Sequence, residues 1–232
     1  MSQHSSEEGR QVKKEKENVL KRINVGCGQT PTPGWINYDN SMSVRLAQWP
    51  FLAFIVEKLG LLEEGSKRFV LFAKNNHIIW ADATKHIPLP NDSAEVLYTS
   101  HMIEHLDREE VSLFLQEAYR VLAPGGIIRI AVPDLRKLVE QYIAEGDADK
   151  FIEKTLLTRP RPKRFFDKLK YLVVGDRHHL WMYDGPSLCR LLSKHGFREP
   201  RILEPGSTMI SDPGELNLYE RAGNSVYVEA LK

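Results

Sequence analysis

Cysteine is nearly absent from this sequence: Cys27 and Cys189 are the two thiols in 232 residues, and they stand far apart. Two such thiols build neither a disulfide framework nor a zinc set, so a reducing cytoplasmic setting is expected. An excess of one charge is missing as well. Lys and Arg total 32 against 31 Asp and Glu, a net of +1, so no global field recruits nucleic acid and none is expected as a partner. Long apolar runs are also missing. None approaches the roughly 20 residues that span a bilayer, and the polar N-terminus holds nothing like the apolar core of a signal peptide. The expectation is a soluble protein.

What is present fits one domain. With 42% hydrophobic and 27% charged residues, the chain has enough apolar mass for a single α/β core. Residues 1–12 read as a disordered tail, and 13–232 as one domain with a helical insertion at about 42–75 and an acceptor-side segment at about 145–185. Short apolar runs end in turn residues at Ile23–Val25, Trp35–Asp39, His77–Trp80, Glu95–Thr99 and Gly126–Val132, and later at Arg201–Leu203 and Ser225–Val228. Each reads as a strand. Between them, Val111, Phe114, Leu115, Ala118 and Leu122 recur at helical spacing behind an Asp107/Glu110 capping box, and Pro124-Gly125-Gly126 reads as that helix's stop. Leu135, Leu138, Val139, Tyr142 and Ile143 follow Asp134 in the same way, and Leu188, Leu191, Leu192 and His195 make a last stripe closed by Gly196. Strands alternating with helices imply a mostly parallel sheet covered on both faces, with ligands beyond the carboxyl ends of the strands.

Three of those strand ends carry nucleoside-binding chemistry in order. Gly26-Cys27-Gly28 lets a ligand approach backbone closely. Asp39, followed by Asn40, can accept hydrogen bonds from both hydroxyls of a ribose. Asp82-Ala83 can receive an exocyclic adenine amine. The runs Arg22-Ile-Asn-Val-Gly-Cys-Gly, Gly34-Trp-Ile-Asn-Tyr-Asp, Ile87-Pro-Leu-Pro-Asn-Asp-Ser, Tyr98-Thr-Ser-His-Met-Ile-Glu-His-Leu, Val121-Leu-Ala-Pro-Gly-Gly and Ile130-Ala-Val-Pro-Asp-Leu together resemble the type 11 class I methyltransferases. They are most similar to the branch associated with surface-polysaccharide genes. That resemblance implies a Rossmann-like seven-stranded sheet with an antiparallel last strand, S-adenosylmethionine as cofactor, and transfer of its methyl group to an acceptor. It places Gly26, Cys27 and Gly28 against the methionine part, Asp39 at the ribose, Asp82 and Ala83 at the adenine, and Ser100 and His101 along the donor pocket.

The sequence departs from the wider class at three points. Asn24 stands where an acid is usual, Thr30 replaces a third glycine, and Gln29–Trp35 is too short for a crossover helix.

Removing a proton from an acceptor hydroxyl near neutral pH suits a histidine. His101 follows the fourth strand, and His178-His179 lie in the polar-aromatic loop Arg177-His-His-Leu-Trp-Met-Tyr-Asp, which also carries Tyr183. His101, His178 and His179 are therefore the candidate catalytic residues, with one of the adjacent pair meeting the substrate, while His105 reads as structural. Asp134 reads equally as helix cap or substrate contact, and Tyr183 as a substrate contact. Asp, His and Cys show no recognisable ligand spacing, so no metal is expected. The apolar insertion with Trp49, Phe51, Phe54 and Ile55 reads as a cover, or as a lid or a greasy surface meeting a lipid-linked substrate, and the basic run at 159–170 as a solvated loop, or as a contact to a phosphate-bearing acceptor or an anionic membrane face. Either would add peripheral membrane contact. The expected reaction is O-methylation of a glycan, a nucleotide-sugar or a lipid-linked glycan precursor. The alternatives are an N- or C-methyltransferase of a small metabolite and a donor-binding scaffold without turnover.

Overall fold

The computed structural model describes residues 20–58, 62, 64–158 and 178–232. The expected N-terminal tail and the basic run at 159–170 lie outside these residues. No helix among those described is long and apolar enough to cross a membrane.

Seven strands form one sheet in the spatial order β3-β2-β1-β4-β5-β7-β6. They are β1 (Lys21–Val25), β2 (Ile36–Asp39), β3 (Ile79–Trp80), β4 (Ala94–Ser100), β5 (Leu122–Pro133), β6 (Arg198–Leu203) and β7 (Ser225–Leu231). The pairings are parallel except those of β7, which runs antiparallel to both β5 and β6. The fold class expected from the sequence is the one observed. The order reverses direction between β1 and β4, so the crevice that such a reversal opens lies at the carboxyl ends of these two strands.

The insertion supplies α1 (Met42–Gln48), α2 (Pro50–Lys58) and α3 (Glu64–Asn75). Val44 and Ala73 on its inner side bury together with Cys27 and Ile78. Its outer side exposes Trp49, Phe51, Phe54 and Leu71. A short 3-10 turn (Ile103–His105) leads into α4 (Arg108–Val121), whose expected capping box between Asp107 and Glu110 is formed. Val111, Phe114, Leu115 and Ala118 of α4 are fully buried against the sheet. Then come α5 (Leu135–Glu145), α6 (Ala148–Thr155) and α7 (Gly185–Lys194).

Two boundaries differ from the sequence reading. Helix α4 does not run to Pro124. It ends at Val121 and the chain passes directly into β5, because Leu122 pairs with Ala94 of β4 and Gly125 and Gly126 pair with Lys232, just past β7. The third strand is also shorter than expected. His77 has a positive φ of 51° as the chain leaves α3, and pairing begins only at Ile79.

The connection from β1 to β2 has no helix, as its length requires. Side-chain hydrogen bonds brace it instead. Asn24 donates to the Thr30 carbonyl and the Thr32 hydroxyl, each at 3.1 Å, while Asn37 accepts from the Thr32 N–H at 2.8 Å and donates to the Thr32 and Trp35 carbonyls at 3.0 Å. Asn24 is therefore an anchor of the loop. An acid in its place could not make these donations.

On the other side of the sheet, Arg129 of β5 and Glu229 of β7 form a fully buried ion pair at 2.5 Å. Arg129 also donates to the Ser207 carbonyl, and Glu229 accepts from the Thr208 hydroxyl and the Met209 N–H. The pair thus ties the 204–224 loop to the sheet. Removing one partner strands a buried charge, so Glu229→Ala is expected to lower unfolding free energy by about 3–5 kcal/mol. Urea unfolding would show this, and the paired change Arg129→Met/Glu229→Leu should recover most of the loss.

Candidate active site

The turn after β1 is built on the end of β2. The N–H groups of Gly26 and Cys27 both donate to the Tyr38 carbonyl, at 2.8 and 3.1 Å, and the Gly28 N–H donates to Asp39 Oδ2 at 2.9 Å. Asp39 Oδ1 accepts from the Ser41 N–H at 2.8 Å. Two backbone donors thus fix the carboxylate plane, and each oxygen keeps a further lone-pair direction. A vicinal diol needs such an acceptor, held rigidly at a strand end. Asn40, just beyond, is exposed and its carbonyl accepts from the Trp80 indole at 3.1 Å.

The glycines divide the turn into two functions. A Cβ on Gly26, at φ +71°, would fall 2.5 Å from Met102 Cγ, whereas a Cβ on Gly28, at φ +50°, would meet nothing within 4 Å. Gly28 borders open space of the kind a ligand fills. The close approach that Gly26 allows is to Met102, behind β4. Cys27 turns its thiol inward beneath α1 and α3, where burial, reinforced by the Asp39 charge, pushes its pKa up.

Asp82 stands after β3. Its Oδ1 accepts from the Thr84 hydroxyl at 2.7 Å and its Oδ2 pairs with Lys85 at 2.9 Å. Burial would raise its pKa, but the Lys85 ammonium and the Thr84 donors outweigh that and hold it below the ordinary carboxylate range. Asp82 is ionised and remains an acceptor. Ala83 beside it is buried.

At the end of β4, Ser100 and His101 turn the chain. His101 adopts a left-handed φ of 50° while its N–H donates to the Ala131 carbonyl at 2.9 Å. Its Nε2 lies 3.0 Å from the Ser225 hydroxyl. Its Nδ1 lies 3.3 Å from Glu104 Oε1, close enough for ion pairing yet without hydrogen-bond alignment. Glu104 is 1% exposed, and neither carboxylate oxygen has a hydrogen-bond donor among the described residues. Its carbonyl accepts from the Leu180 and Trp181 N–H groups, at 2.7 and 3.2 Å. That contact brings the 178–183 segment against the end of β4.

The same contact gathers the histidines. The rings of His105 and His179 meet edge to face with centroids 5.0 Å apart. His105 Nδ1 lies 3.0 Å from the His178 carbonyl, and His179 Nδ1 lies 2.8 Å from the Thr155 carbonyl. Burial lowers the His179 pKa, and the nearby Glu104 carboxylate only partly offsets this. His101 and His179 therefore converge on one carboxylate. His178 contributes its backbone carbonyl to the cluster and is half-buried.

Asp134 caps α5 by accepting from the Arg136 N–H at 3.0 Å. Tyr183 is 1% exposed in the main core, with its hydroxyl accepting from Arg108 at 3.3 Å. Its placement is that of a packing residue. Sequence reasoning missed Glu104 and treated His105 as structural. The Glu-His pair sits inside a helix-start motif, and its long-range partner, His179, is 74 residues away in the chain.

The two glycines predict losses of different size. Gly26→Ala combines backbone strain of roughly 1–3 kcal/mol with the Met102 collision, and should destabilise more than Gly28→Ala, which carries only the strain. Thermal unfolding of the two proteins and of Gly26→Ala/Met102→Ala checks this, because the last change should relieve the collision alone.

Residues 62–130 match the family model described as "Methyltransferase domain". No curated protein matches the sequence. Among solved structures, the fold is similar to an S-adenosylmethionine-dependent methyltransferase from Methanosarcina mazei, with a TM-score of 0.50 and 13% identity over 92% of this chain and 93% of that one. It is also similar to methyltransferases from Thermotoga maritima, with a TM-score of 0.49 and 17% identity over 91% and 82% of the two chains, and from Mesorhizobium loti, with 0.46 and 17% over 93% of each. At such identities the likeness is one of fold. The match to that domain model over residues 62–130 is carried on a sheet of the order described above.

Proposed function

We propose that the protein O-methylates a sugar hydroxyl in a glycan, a nucleotide-sugar or a lipid-linked glycan precursor, and that the histidine cluster at the end of β4 receives the acceptor. The observation that carries this reading is the convergence of His101 and His179 on the buried Glu104 carboxylate, just beyond the strand that borders the donor crevice. Gly28 and Asp39 hold the donor's methionine and ribose parts, and Asp82 its adenine. When bound, S-adenosylmethionine supplies a methyl group on a sulfonium leaving group. The protein's own work is then to align the acceptor oxygen and to take its proton. The Thr155 carbonyl can only accept, so His179 Nδ1 carries the proton of the neutral ring and Nε2 keeps a lone pair for that task.

One comparison separates these roles. Asp39→Ala should weaken donor binding by about 1.5–3 kcal/mol. Replacing His101 or His179 with Gln should cut turnover by roughly 10²–10⁴-fold with donor affinity nearly unchanged. Calorimetry with the donor and single-turnover methyl transfer to a panel of sugar acceptors read the two effects. Normal turnover by both histidine variants would remove the cluster from the chemistry, and failure of the parent protein on all sugars would remove the acceptor class.

The lipid-linked form of the acceptor draws support from the insertion. Trp49 and Phe51 are 64% and 78% exposed beside the exposed Phe54 and Ile55, and grouped aromatic exposure of this kind suits an interfacial contact. Trp49→Ser/Phe51→Ser/Phe54→Ser should abolish flotation with vesicles of mixed neutral and anionic phospholipid while leaving donor binding intact. Equal flotation would return the face to a cover exposed to water.

A further inference from the structure

We propose that Glu104, His105 and His179 form a binding site for a divalent first-row transition-metal ion. One ligand atom from each of the three lies within 4.8 Å of the others. The arrangement around them is that of a ligand shell. His105 Nδ1 faces the His178 carbonyl and His179 Nδ1 faces the Thr155 carbonyl. A carbonyl only accepts, so both rings carry their proton on Nδ1 and present the Nε2 lone pair. Metal-binding histidines are oriented by this kind of outer contact.

The carboxylate supplies the second argument. Glu104 is buried, with neither oxygen hydrogen-bonded among the described residues. Buried polar groups without a partner are rare and point to a missing ion or solvent. Among the described residues, the nearest cation-forming group, His101 Nδ1, is at 3.3 Å without hydrogen-bond alignment. His105 and His179, as oriented, offer the carboxylate no proton from Nε2. A cation at the meeting point would satisfy two lone pairs and one charge together.

Two imidazoles and one carboxylate favour zinc, cobalt, iron or manganese over magnesium or calcium, which prefer all-oxygen shells. Three protein ligands leave positions open for water or a substrate oxygen. The role of such an ion in the reaction rests on the proposed acceptor site, because an acceptor hydroxyl at an open position would be acidified by the cation. His179 Nε2 would then be a ligand and not the proton acceptor.

The test begins with the full-length protein, stripped with a chelator and titrated with Co(II) while visible absorption is followed, and then with Zn(II) by calorimetry. One equivalent should bind, with ligand-field bands in the visible range. Glu104→Gln, His105→Ala and His179→Ala should each weaken binding by at least about 100-fold. His77→Asn, which changes an exposed histidine outside the cluster, should leave it unchanged. Glu104→Gln keeps the side chain's shape, and circular dichroism with donor calorimetry shows whether each variant is folded. Absence of saturable binding by the folded parent overturns the site, and so does binding that survives all three substitutions. The outcome is separate from the proton-transfer reading. Metal binding with normal turnover in His101→Gln and His179→Gln would keep the site and remove the cluster from the chemistry. Lost turnover without metal binding would do the reverse.

Discussion

The backbone carbonyl of Glu104 organises the segment beyond the end of β4. It accepts from Leu180 and Trp181, residues some 76 positions further along, and so holds a polar loop against the end of a central strand. Together with the His179 contacts to the Thr155 and Leu156 carbonyls, those two hydrogen bonds set His179 beside His105. The interaction is between backbone groups, so it sets a position without demanding a particular side chain at 180 or 181. The chemistry is then free to reside in the neighbouring side chains.

The β1–β2 end of the sheet rests on a different device. Parallel strands are usually joined by a helix, yet β1 and β2 are joined by a ten-residue loop, 26–35. Asn24, Thr32 and Asn37 replace the missing helix with side-chain hydrogen bonds. The insertion then covers this edge, with Cys27 buried beneath it. This explains why an acid at position 24 is dispensable to the fold and would disturb it. The polar group that anchors the loop must donate two hydrogen bonds, which a carboxylate cannot do.

Legibility from sequence followed the range of the interactions. The strand-end positions of Gly26, Gly28, Asp39 and Asp82 were readable because each depends on a local pattern, an apolar run followed by a turn or an acid. The α4 capping box and buried stripe were readable for the same reason. The end of α4 was misplaced because Pro124-Gly125-Gly126 has turn chemistry, whereas the actual boundary is set by pairing with Ala94 of β4 and with Lys232 at the far end of the chain. Gly26 was legible as a glycine required for close approach, but its neighbour, Met102, lies on another strand's exit. The Glu104-His105-His179 set was illegible, because ligand spacing is sought within short motifs and these three meet only through the loop that Glu104 captures.

The two ends meet through β4. Its last residues border the crevice opened by the strand reversal, and within five residues the chain supplies His101, Glu104 and His105. That compression requires an abrupt exit from the strand, and His101 provides it by adopting a left-handed conformation that costs on the order of 1–3 kcal/mol in a residue with a Cβ. The His101 N–H bond to Ala131 and the ring contact with Ser225 hold the conformation in place. A glycine at 101 would make the turn with less strain, but it would remove an imidazole from the side of Glu104. The strained histidine therefore keeps its imidazole beside the Glu104 carboxylate, 3.3 Å away. Asp134 and Tyr183, by contrast, take their conformations and contacts from helix capping and core packing.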